Sequence, residues 1–346
     1  MKKDVLLTRT QFRESVLERD SHQCVFCGEK TNLDAHHITE RRLFTQEKEY
    51  GGYFISNGAT VCETHHRMCE STEISTQQVR EQCGITTITL PEHFYHDLEY
   101  DKWGNIVQAN GTRLKGELFF DESVQKIIKP FLGIFVNYIK YPRTYHLPWT
   151  QSTNKDDKTL KDDSQFQGKV IVVTEKLDGE NFTGYSDYSH ARSIDSGNHE
   201  SRNYVKNFFA NFQHDIPEGW RICGENVFAK HAILYEDLAD YFYGFSIWDE
   251  KNNCLSWQDS LEWFELLGIT PAPVLYYGLY DRQKIKEIEK SLDFTKVEGY
   301  VIRNADSFSY RDFRNNTGKF VRQGHIQDVV HHWKQQKIIR NNLCQR

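Results

Sequence analysis

The chain has 346 residues, a length that suits two or three domains. Hydrophobic residues make up 38% of it and aromatic residues 14%, which is typical of a globular protein and argues against the disordered classes. The net charge of −6 argues against a protein that coats nucleic acid through overall basicity, so any contact with nucleic acid has to come from local patches.

The termini and the cysteines narrow the class further. The first ten residues, MKKDVLLTRT, contain no apolar core of a signal peptide, and no window approaches the roughly 18 apolar residues that a membrane-spanning helix needs. We therefore expect a cytoplasmic protein without membrane contact. Of the eight cysteines, only Cys24 and Cys27 have the spacing of a metal knuckle, which favours thiols and one metal site over a disulfide framework.

Differences in composition and apolar pattern divide the chain into three regions. Residues 1–90 hold the close cysteines and a dense set of histidines, residues 91–145 form a structured connector, and residues 146–346 alternate apolar strands with short helices. In the first region, Phe12 and Val16 lie at helical spacing, which predicts a short helix before Cys24. In the connector, the Trp-Gly-Asn and Asn-Gly signals of YDKWGNIVQANGTRLKGELFF predict hairpin turns between short strands.

The last region predicts further strands and helices. Three apolar runs predict strands: KVIVVTEKLDG, YFYGFSIWD and VEGYVIRN. SWQDSLEWFELLG predicts a helix that Ser256 caps and Gly268 ends, and residues 326–339 predict another helix. Together the elements predict an α+β fold built around antiparallel strands.

The N-terminal region contains two close ligand pairs. Cys24 and Cys27 have C-x2-C spacing, and Cys62 and His65 have C-x2-H spacing. Paired knuckles of this kind are typical of tetrahedral structural zinc, because each tight turn presents two ligands to one ion about 2.0 to 2.3 Å away. The sequence therefore predicts a Zn²⁺ site.

His36, His37, Asn57 and His66 lie between and directly after these knuckles. Their order resembles the ββα-metal module of HNH endonucleases, over about residues 10–75. The resemblance implies that His36 and His66 bind a catalytic divalent ion and that His37, with a pKa near neutrality, is the general base that activates water. It implies that Asn57 holds the His37 loop.

Two points in this module stay open. His65 stands where the commonest pattern of the family has a cysteine, although a Cys3His zinc site is chemically sound. The module is either an active nuclease or a zinc-stapled binding module that has lost cleavage. Glu70, one helical turn after His66, either assists the metal or is a solvated helix residue.

The C-terminal region carries a second set of motifs. Lys176-Leu-Asp178-Gly179 matches the K-x-D-G signature of covalent nucleotidyltransferases, although four residues alone are a weak signal. Five segments follow it in the order of that superfamily: His190-Ala-Arg192-Ser193, Gly224-Glu225-Asn226, Phe242-Tyr-Gly-Phe245-Ser-Ile, Glu298-Gly299-Tyr-Val301-Ile-Arg303 and Lys319-Phe-Val-Arg322. The combination resembles the ATP-dependent RNA ligases, especially the nick-sealing phage-type branch, over about residues 135–335.

This resemblance implies a mechanism as well as a fold. The expected architecture is an HNH-like zinc domain over 1–90, the connector over 91–145, and over 146–346 an RNA ligase adenylyltransferase domain, an ATP-grasp-like core of antiparallel sheets. Lys176 would attack the α-phosphate of ATP and form lysyl-AMP. AMP would then pass to an RNA 5′-phosphate, and the RNA 3′-hydroxyl would displace it. Because only the neutral amine is a nucleophile, the pKa of Lys176 has to fall well below its free value of about 10.4.

The resemblance also assigns roles to individual residues. It implies an ATP and AMP site formed by Glu175, Lys176, Asp178, Gly179, Arg192, Glu225, Phe245, Glu298 and Lys319. Phe245 would stack on the purine, and Glu298 and Glu225 would hold Mg²⁺ (or Mn²⁺) or the ribose. Lys319 and Arg322 would be the cations that lower the pKa of Lys176 and neutralise the α-phosphate. The family commonly has two lysines separated by one residue here, so the wider spacing leaves the role of Arg322 open.

RNA is the expected partner, as a nicked duplex or a broken structured RNA, with DNA as an alternative at the HNH-like module. Residues 319–346 carry six Lys or Arg and one acid, which fits either an RNA-tracking helix or an ordinary solvated helix. A DNA ligase or a GTP-using capping enzyme on the same core is a rival, against which the segment 190–193 and the lack of an expected OB-type domain argue. A nucleic-acid sensor without catalysis is another.

Overall fold

The computed structural model describes residues 5–150, 157–322 and 338–344. The chain divides into two compact units, 1–137 and 138–346. Most of the predicted connector therefore belongs to the first unit, and the boundary lies between residues 137 and 138 instead of at 90 and at 145. Within the described ranges, no helix is long and apolar enough to cross a membrane.

The first unit has small sheets and short helices. Its helices and strands are α1 (Arg9–Arg19), β1 (Leu33–His37), β2 (Gly58–Cys62), α2 (Glu63–Glu70), α3 (Thr76–Gln82), β3 (Glu99–Tyr100), β4 (Ile106–Val107), β5 (Arg113–Leu114) and α4 (Glu122–Ile128). β1 and β2 form an antiparallel pair, and β3, β4 and β5 form a three-stranded antiparallel sheet. These strands confirm the predicted connector hairpins.

α1 is the helix that the sequence predicts before the first cysteine. It begins with a capping box, in which the Thr8 hydroxyl accepts from the backbone N–H of Gln11 and the Gln11 side chain accepts from the backbone N–H of Thr8. Phe12 and Val16 are its buried residues. A Cβ at Gly58, the first residue of β2, would lie 2.4 Å from Val16, so the glycine lets α1 lie close to the β1–β2 pair.

The second unit is built on two larger sheets. Its strands are β6 (Val170–Lys176), β7 (Glu180–Gly184), β8 (Ser189–Ala191), β9 (Arg221–Asn226), β10 (Phe242–Trp248), β11 (Asn253–Cys254), β12 (Thr270–Pro271), β13 (Val274–Leu279), β14 (Gly299–Asn304), β15 (Phe308–Ser309) and β16 (Thr317–Val321). One sheet has the order β15-β11-β10-β9-β7-β8, with β12 parallel to β10, and the other has the order β13-β6-β14-β16. All other strand pairs are antiparallel, which confirms the predicted class at the level of a mixed fold with antiparallel sheets.

Helices of the second unit pack beside these sheets. They are α5 (Asn203–Ala210), α6 (Trp257–Leu267), α7 (Arg282–Ser291) and α8 (Phe313–Asn316). The prediction for α6 is confirmed at both ends, because the Ser256 hydroxyl accepts from the backbone N–H of Asp259 at 3.1 Å and Gly268 has φ +67°. The three predicted strands correspond to β6, β10 and β14. The predicted helix over 326–339 lies almost entirely outside the described residues.

Candidate active sites

Lys176 and Glu298 lie close together at one end of the four-stranded sheet, where β6 ends and β14 begins. Lys176 is the last residue of β6, and Glu298 directly precedes β14, whose Gly299 lies opposite Lys176. The lysine amine donates to Oε2 of Glu298. A Cβ at Gly299 would lie 2.0 Å from the carbonyl oxygen of Phe320, so glycine is required for β16 to approach β14 here. The close approach of these two strands therefore explains why a glycine follows Glu298 in the motif.

Lys176 faces a cavity of about 540 Å³ in the second unit. The sequence-predicted residues that line it are Glu175, Lys176, Gly179, Arg192, Glu225, Phe245 and Lys319. Aromatic walls come from Tyr141, Trp257, Phe308 and Phe313. Flat aromatic surfaces beside lysines and carboxylates suit a ligand with a planar ring and phosphates.

A β-bulge positions Phe245 in this cavity. The register between β9 and β10 shifts between Gly244 and Ser246, so the intervening residue has no partner in the ladder. The Phe245 ring is half-buried and lies edge-on to Tyr141, with ring centroids 5.1 Å apart. It is therefore an aromatic surface that a planar ligand can reach.

The charge state of Lys176 differs from the expected one. Burial lowers the pKa of its amine, but the carboxylates of Glu298, Glu225 and Asp178 raise it by more, so the net shift is upward. The expectation of a lowered pKa took the cations of the motif to be the nearest charges. The surrounding carboxylates have the larger effect, and they favour the ammonium form of Lys176.

In the part of the chain that the structure describes, Lys319 lines the cavity, whereas Arg322 does not. Burial and the charge of Lys176 lower the pKa of Lys319 to about 8. Lys319 pairs with Val301 in the sheet, and both line the cavity. Side chains alternate along a strand, so Arg322, three residues on, follows the opposite alternation to Lys319. Arg322 is not among the lining residues of the described chain, and its backbone N–H donates to the Glu298 carbonyl at 3.0 Å.

Asp178 organises a loop instead of lining the cavity wall. Its Oδ2 accepts from the backbone N–H groups of Ala232 and Ile233, both at 2.8 Å, and its own N–H donates to the Tyr235 hydroxyl. The same loop carries His231, which lines the cavity. Sequence reasoning missed His231, because no local pattern relates it to Lys176 in the chain.

Two further carboxylates of the cavity carry raised pKa values. Burial raises the pKa of Glu225 to about 8, and the nearby carboxylate of Glu298 adds to the effect. Burial also raises the pKa of Glu175. Glu180, a lining residue that the sequence did not indicate, is held by a bidentate ion pair with Arg202, with both N···O distances 2.6 Å. The carboxyl groups of Glu175, Glu180 and Glu225 therefore line the cavity together with Lys176 and Lys319.

The predicted zinc ligands come together in the first unit. Cys24, Cys27, Cys62 and His65 place their ligand atoms within 4.8 Å of one another. Sγ of Cys62 lies 3.3 Å from Nδ1 of His65 and 3.8 Å from Sγ of Cys27. Tetrahedral zinc with thiolate ligands spaces them about 3.7 Å apart, so the donor set fits this ion. Cys62 ends β2 directly before α2, which puts His65 in the first turn of the helix.

His36, His66 and Glu70 form a second cluster of metal-ligand type, also within 4.8 Å. Oε1 of Glu70 lies 3.3 Å from Nε2 of His66 and 3.5 Å from Nδ1 of His36. His36 is 2% exposed, and its Nδ1 makes no hydrogen bond within the described chain. An orphaned, buried imidazole nitrogen beside a carboxylate fits a divalent ion. Glu70 thus joins the two histidines, which the sequence left open.

Asn57 holds the segment that follows His37. Its Oδ1 accepts from the backbone N–H of Thr39 at 2.8 Å, and its Nδ2 donates to the carbonyls of Thr39 and Gly52. The His37 ring stacks on Phe12 with centroids 4.5 Å apart. The side chain thus has a fixed orientation.

The pKa of His37 is not near neutrality as expected. Burial, Lys102 and Arg41 lower it to about 3. His37 is therefore neutral at physiological pH and able to accept a proton, but as a weak base. A small cavity of about 180 Å³ beside it is lined by Arg9, Arg13 and Arg41.

Comparisons with known proteins were made by family model, by sequence and by structure. Residues 169–321, which lie within the second unit, match the RNA ligase family model. No curated protein matches the chain.

Among solved structures, the chain is similar to an archaeal ATP-dependent RNA ligase, with 14% identity over 53% of this chain and 48% of that chain and a TM-score of 0.40. It is similar to a Naegleria gruberi RNA ligase with PPi, with 15% identity over 90% and 82% and a TM-score of 0.39. A putative ATP-dependent DNA ligase from Aquifex aeolicus gives 17% identity over 53% and 50% and a TM-score of 0.37. The match spans about half of the length of the first and the third protein, and similarities of this size carry no argument about activity.

Proposed function

We propose that the second unit is an ATP-dependent RNA ligase that joins 3′-hydroxyl and 5′-phosphate RNA ends through a lysyl-AMP intermediate on Lys176. One observation carries the proposal. Lys176 and Glu298 form a contact pair at a cavity with Phe245 and Lys319, within a segment that matches the RNA ligase family.

The first transfer forms a bond between Nζ of Lys176 and the α-phosphorus of ATP and breaks the bond from that phosphorus to the bridging oxygen, which leaves with pyrophosphate. Lys176 has to lose a proton first, because an ammonium ion has no lone pair. In the second transfer an oxygen of the RNA 5′-phosphate displaces the lysine from phosphorus. In the third, the RNA 3′-hydroxyl attacks the activated 5′-phosphate, loses its proton, and releases AMP.

The carboxylates beside Lys176 control the first of these steps. Glu298 and Glu225 suit Mg²⁺ or Mn²⁺ by their oxygen donors, and such an ion would offset negative charge on the phosphates. When these carboxylates are engaged elsewhere, they no longer raise the pKa of Lys176, and burial lowers it. Lys319, on the neighbouring strand, is placed to neutralise the α-phosphate as charge develops.

The remaining cavity residues suit recognition of the nucleotide. Phe245 offers a ring face for the purine, and Glu175, whose pKa burial raises, would contact the adenine edge. Arg192 is exposed and lines the cavity, which suits contact with ribose or phosphate. Asp178 would act by holding the loop that carries His231.

Sealing of defined substrates tests the ligase proposal. The full chain with ATP and Mg²⁺ is incubated with a nicked RNA duplex and with the matching DNA duplex, and the joined product is measured. We expect joining of RNA that Lys176→Ala abolishes. Joining of DNA alone would favour the DNA ligase, and reaction with GTP in place of ATP would favour a capping-type enzyme.

We propose that the first unit is an HNH-type endonuclease module with a structural zinc ion on Cys24, Cys27, Cys62 and His65. His36, His66 and Glu70 would hold a divalent ion that stabilises the leaving 3′-oxygen, and His37 would accept the proton of the attacking water. The support is the arrangement of two separate ligand clusters on β1, β2, α2 and the turn that carries Cys24 and Cys27. RNA and DNA are both candidate substrates.

A non-cleaving binding module is the second candidate for this unit, because a His37 pKa of about 3 makes a weak general base. Divalent-dependent nicking of labelled RNA and DNA distinguishes the two candidates, with His37→Ala as the comparison. Identical products from the wild type and this variant would establish the binding module. Metal analysis that finds no zinc would contradict the knuckle.

A further inference from the structure

Lys102 is a buried lysine next to the histidine cluster of the first unit. Its side chain is 3% exposed, and it lies in the turn between β3 and β4, in the predicted connector. Its amine donates to the carbonyl oxygen of His37 at 2.8 Å and lies 3.1 Å from Oε1 of Glu70. Lysine is almost never buried without such partners, so the surrounding groups stabilise this charge.

Backbone contacts hold the turn against the site. The backbone N–H of Glu40 donates to the Lys102 carbonyl at 2.9 Å, and the indole N–H of Trp103 donates to the Glu70 carbonyl at 2.8 Å. The turn itself is closed by Asp101, whose Oδ1 accepts from the backbone N–H groups of Trp103 and Asn105. These hydrogen bonds hold the turn between β3 and β4 so that the Lys102 side chain lies beside Glu70.

One oxygen atom of Glu70 is shared by three groups. Oε1 lies 3.1 Å from the Lys102 amine, 3.3 Å from Nε2 of His66 and 3.5 Å from Nδ1 of His36. Because Oε1 is the Glu70 oxygen that lies beside both imidazole rings, a divalent ion held by the two histidines and Glu70 would take it as a ligand. The ammonium group of Lys102 therefore competes with the ion for Glu70 and repels it.

A second carboxylate offers Lys102 an alternative partner. Oε2 of Glu40 lies 3.5 Å from the Lys102 amine, and the Glu40 side chain is 13% exposed. A small movement of the ammonium group toward Glu40 would release Glu70 without leaving the buried charge unpaired. Resting on the proposed metal site of the first unit, we propose that Lys102 is a resident counter-ion of Glu70, which a divalent ion displaces toward Glu40 on binding.

The proposal predicts opposite effects of two neutral substitutions on metal affinity. Lys102→Met removes the competing charge at similar side-chain length, so the Kd for Mn²⁺ falls. Glu40→Gln removes the charge that receives the ammonium group, so the Kd rises. Partners of metal ligands change metal affinity by about 10- to 100-fold, and we expect shifts in this range in both directions.

Calorimetric titration of the full, zinc-loaded chain with Mn²⁺ tests the proposal. Glu225→Gln and Glu298→Gln are introduced throughout, so that the candidate carboxylates of the second unit do not contribute. The matched controls are Lys48→Met, at a lysine whose side chain is 68% exposed, and Glu47→Gln, at an exposed glutamate. Both controls are expected to keep the Kd of their background, and zinc content and circular dichroism show whether each variant folds.

Each outcome decides the matter. A Kd that stays unchanged or rises in folded Lys102→Met overturns the counter-ion role. If Lys102→Met does not fold, Glu40→Gln decides, and an unchanged or lowered Kd there overturns the role. His66→Ala tests the metal site separately from the counter-ion role. Loss of Mn²⁺ binding in this variant supports the proposed metal site, whatever the result for Lys102→Met. Binding that His66→Ala leaves intact would remove the metal site and the counter-ion role together.

Discussion

The two candidate sites use local charge in opposite ways. In the second unit, carboxylates raise the pKa of Lys176 and keep the candidate nucleophile as an ammonium ion. In the first unit, burial, Lys102 and Arg41 lower the pKa of His37 and keep the candidate base neutral. In the proposed mechanism, the lysine becomes a nucleophile only when these carboxylates are engaged by other groups, whereas the histidine is already neutral at physiological pH. Negative neighbours favour the protonated form of Lys176, whereas positive neighbours favour the neutral form of His37. Only the lysine therefore has to lose a proton before it can react.

The largest expected effect concerns the proposed zinc cluster of the first unit. Cys62→Ser removes a ligand that also joins β2 to α2. Because binding of structural zinc supplies about 10 kcal/mol or more in small zinc modules, we expect loss of zinc and unfolding of the first unit. Zinc stoichiometry and amide hydrogen exchange over residues 5–82 measure this. Cys83→Ser, at a cysteine outside the cluster, is the control, and equal behaviour of both variants would refute the assignment.

The next prediction concerns the neutral histidine. If the first unit cleaves, His37→Ala lowers the rate of divalent-dependent nicking about 10²- to 10⁴-fold, the range of general-base catalysis. Because the pKa of His37 is about 3 without bound ligands, the rate of the wild type has no inflection at the usual histidine pKa, from pH 5 to pH 8, that depends on His37. The pH profile of nicking checks this. A His37-dependent inflection near pH 6.5 would show that the charges around it act differently.

The third prediction concerns the protonated lysine. Glu298→Gln removes a carboxylate that raises the pKa of Lys176, so the pKa falls while a ligand for the divalent ion is lost. We expect Lys176 to react faster with an amine-directed reagent at pH 7 but to accept AMP from ATP about 100-fold more slowly. Peptide mapping measures the first effect and single-turnover adenylation the second. Glu287→Gln, at an exposed position of α7, is the control, and slower labelling of Lys176 in Glu298→Gln would contradict the role given to its carboxylate.

The smallest effect concerns Lys319, whose folded pKa of about 8 lies below its usual value of 10.5. Its charge is present below pH 8 and is lost as the pH rises through that value, so phosphate binding weakens. From pH 7 to pH 9, we expect the Kd of α,β-methylene-ATP to rise about fivefold more in the wild type than in Lys319→Arg, because arginine keeps its charge and the titration of Glu225 is common to both proteins. Fluorescence titration at both pH values measures this. An equal change of the Kd in both proteins would contradict the shifted pKa.

The sequence predicted residues whose role follows from local spacing. The motif around Lys176 places a strand end before a tight turn, and the E-G pair places Glu298 beside it through the strand register. The two knuckles bring their four ligands together because each pair lies in one turn. α6 could be predicted at both ends from Ser256 and Gly268, since caps are local interactions.

Other features depend on distant parts of the chain and could not be read locally. Lys102 reaches the His37 loop across 65 positions of the chain, and His231 lines the cavity beside Lys176 through a loop that Asp178 holds from 54 positions away. The charge state of Lys176 depends on Glu225 and Glu298, whose distance from the amine only the packed sheets define. The spacing of Arg322 did contain a signal, because an odd offset from Lys319 reverses the face of a strand.

The most direct test of the central claim is the mass of the chain after incubation with ATP and Mg²⁺ and no RNA, followed by mapping of the modified peptide. The account predicts addition of one AMP on Lys176, no addition in Lys176→Ala, and retained addition in Lys169→Ala, at a lysine just before the same strand. AMP on another residue, or no adduct in a folded, zinc-containing protein, would contradict it.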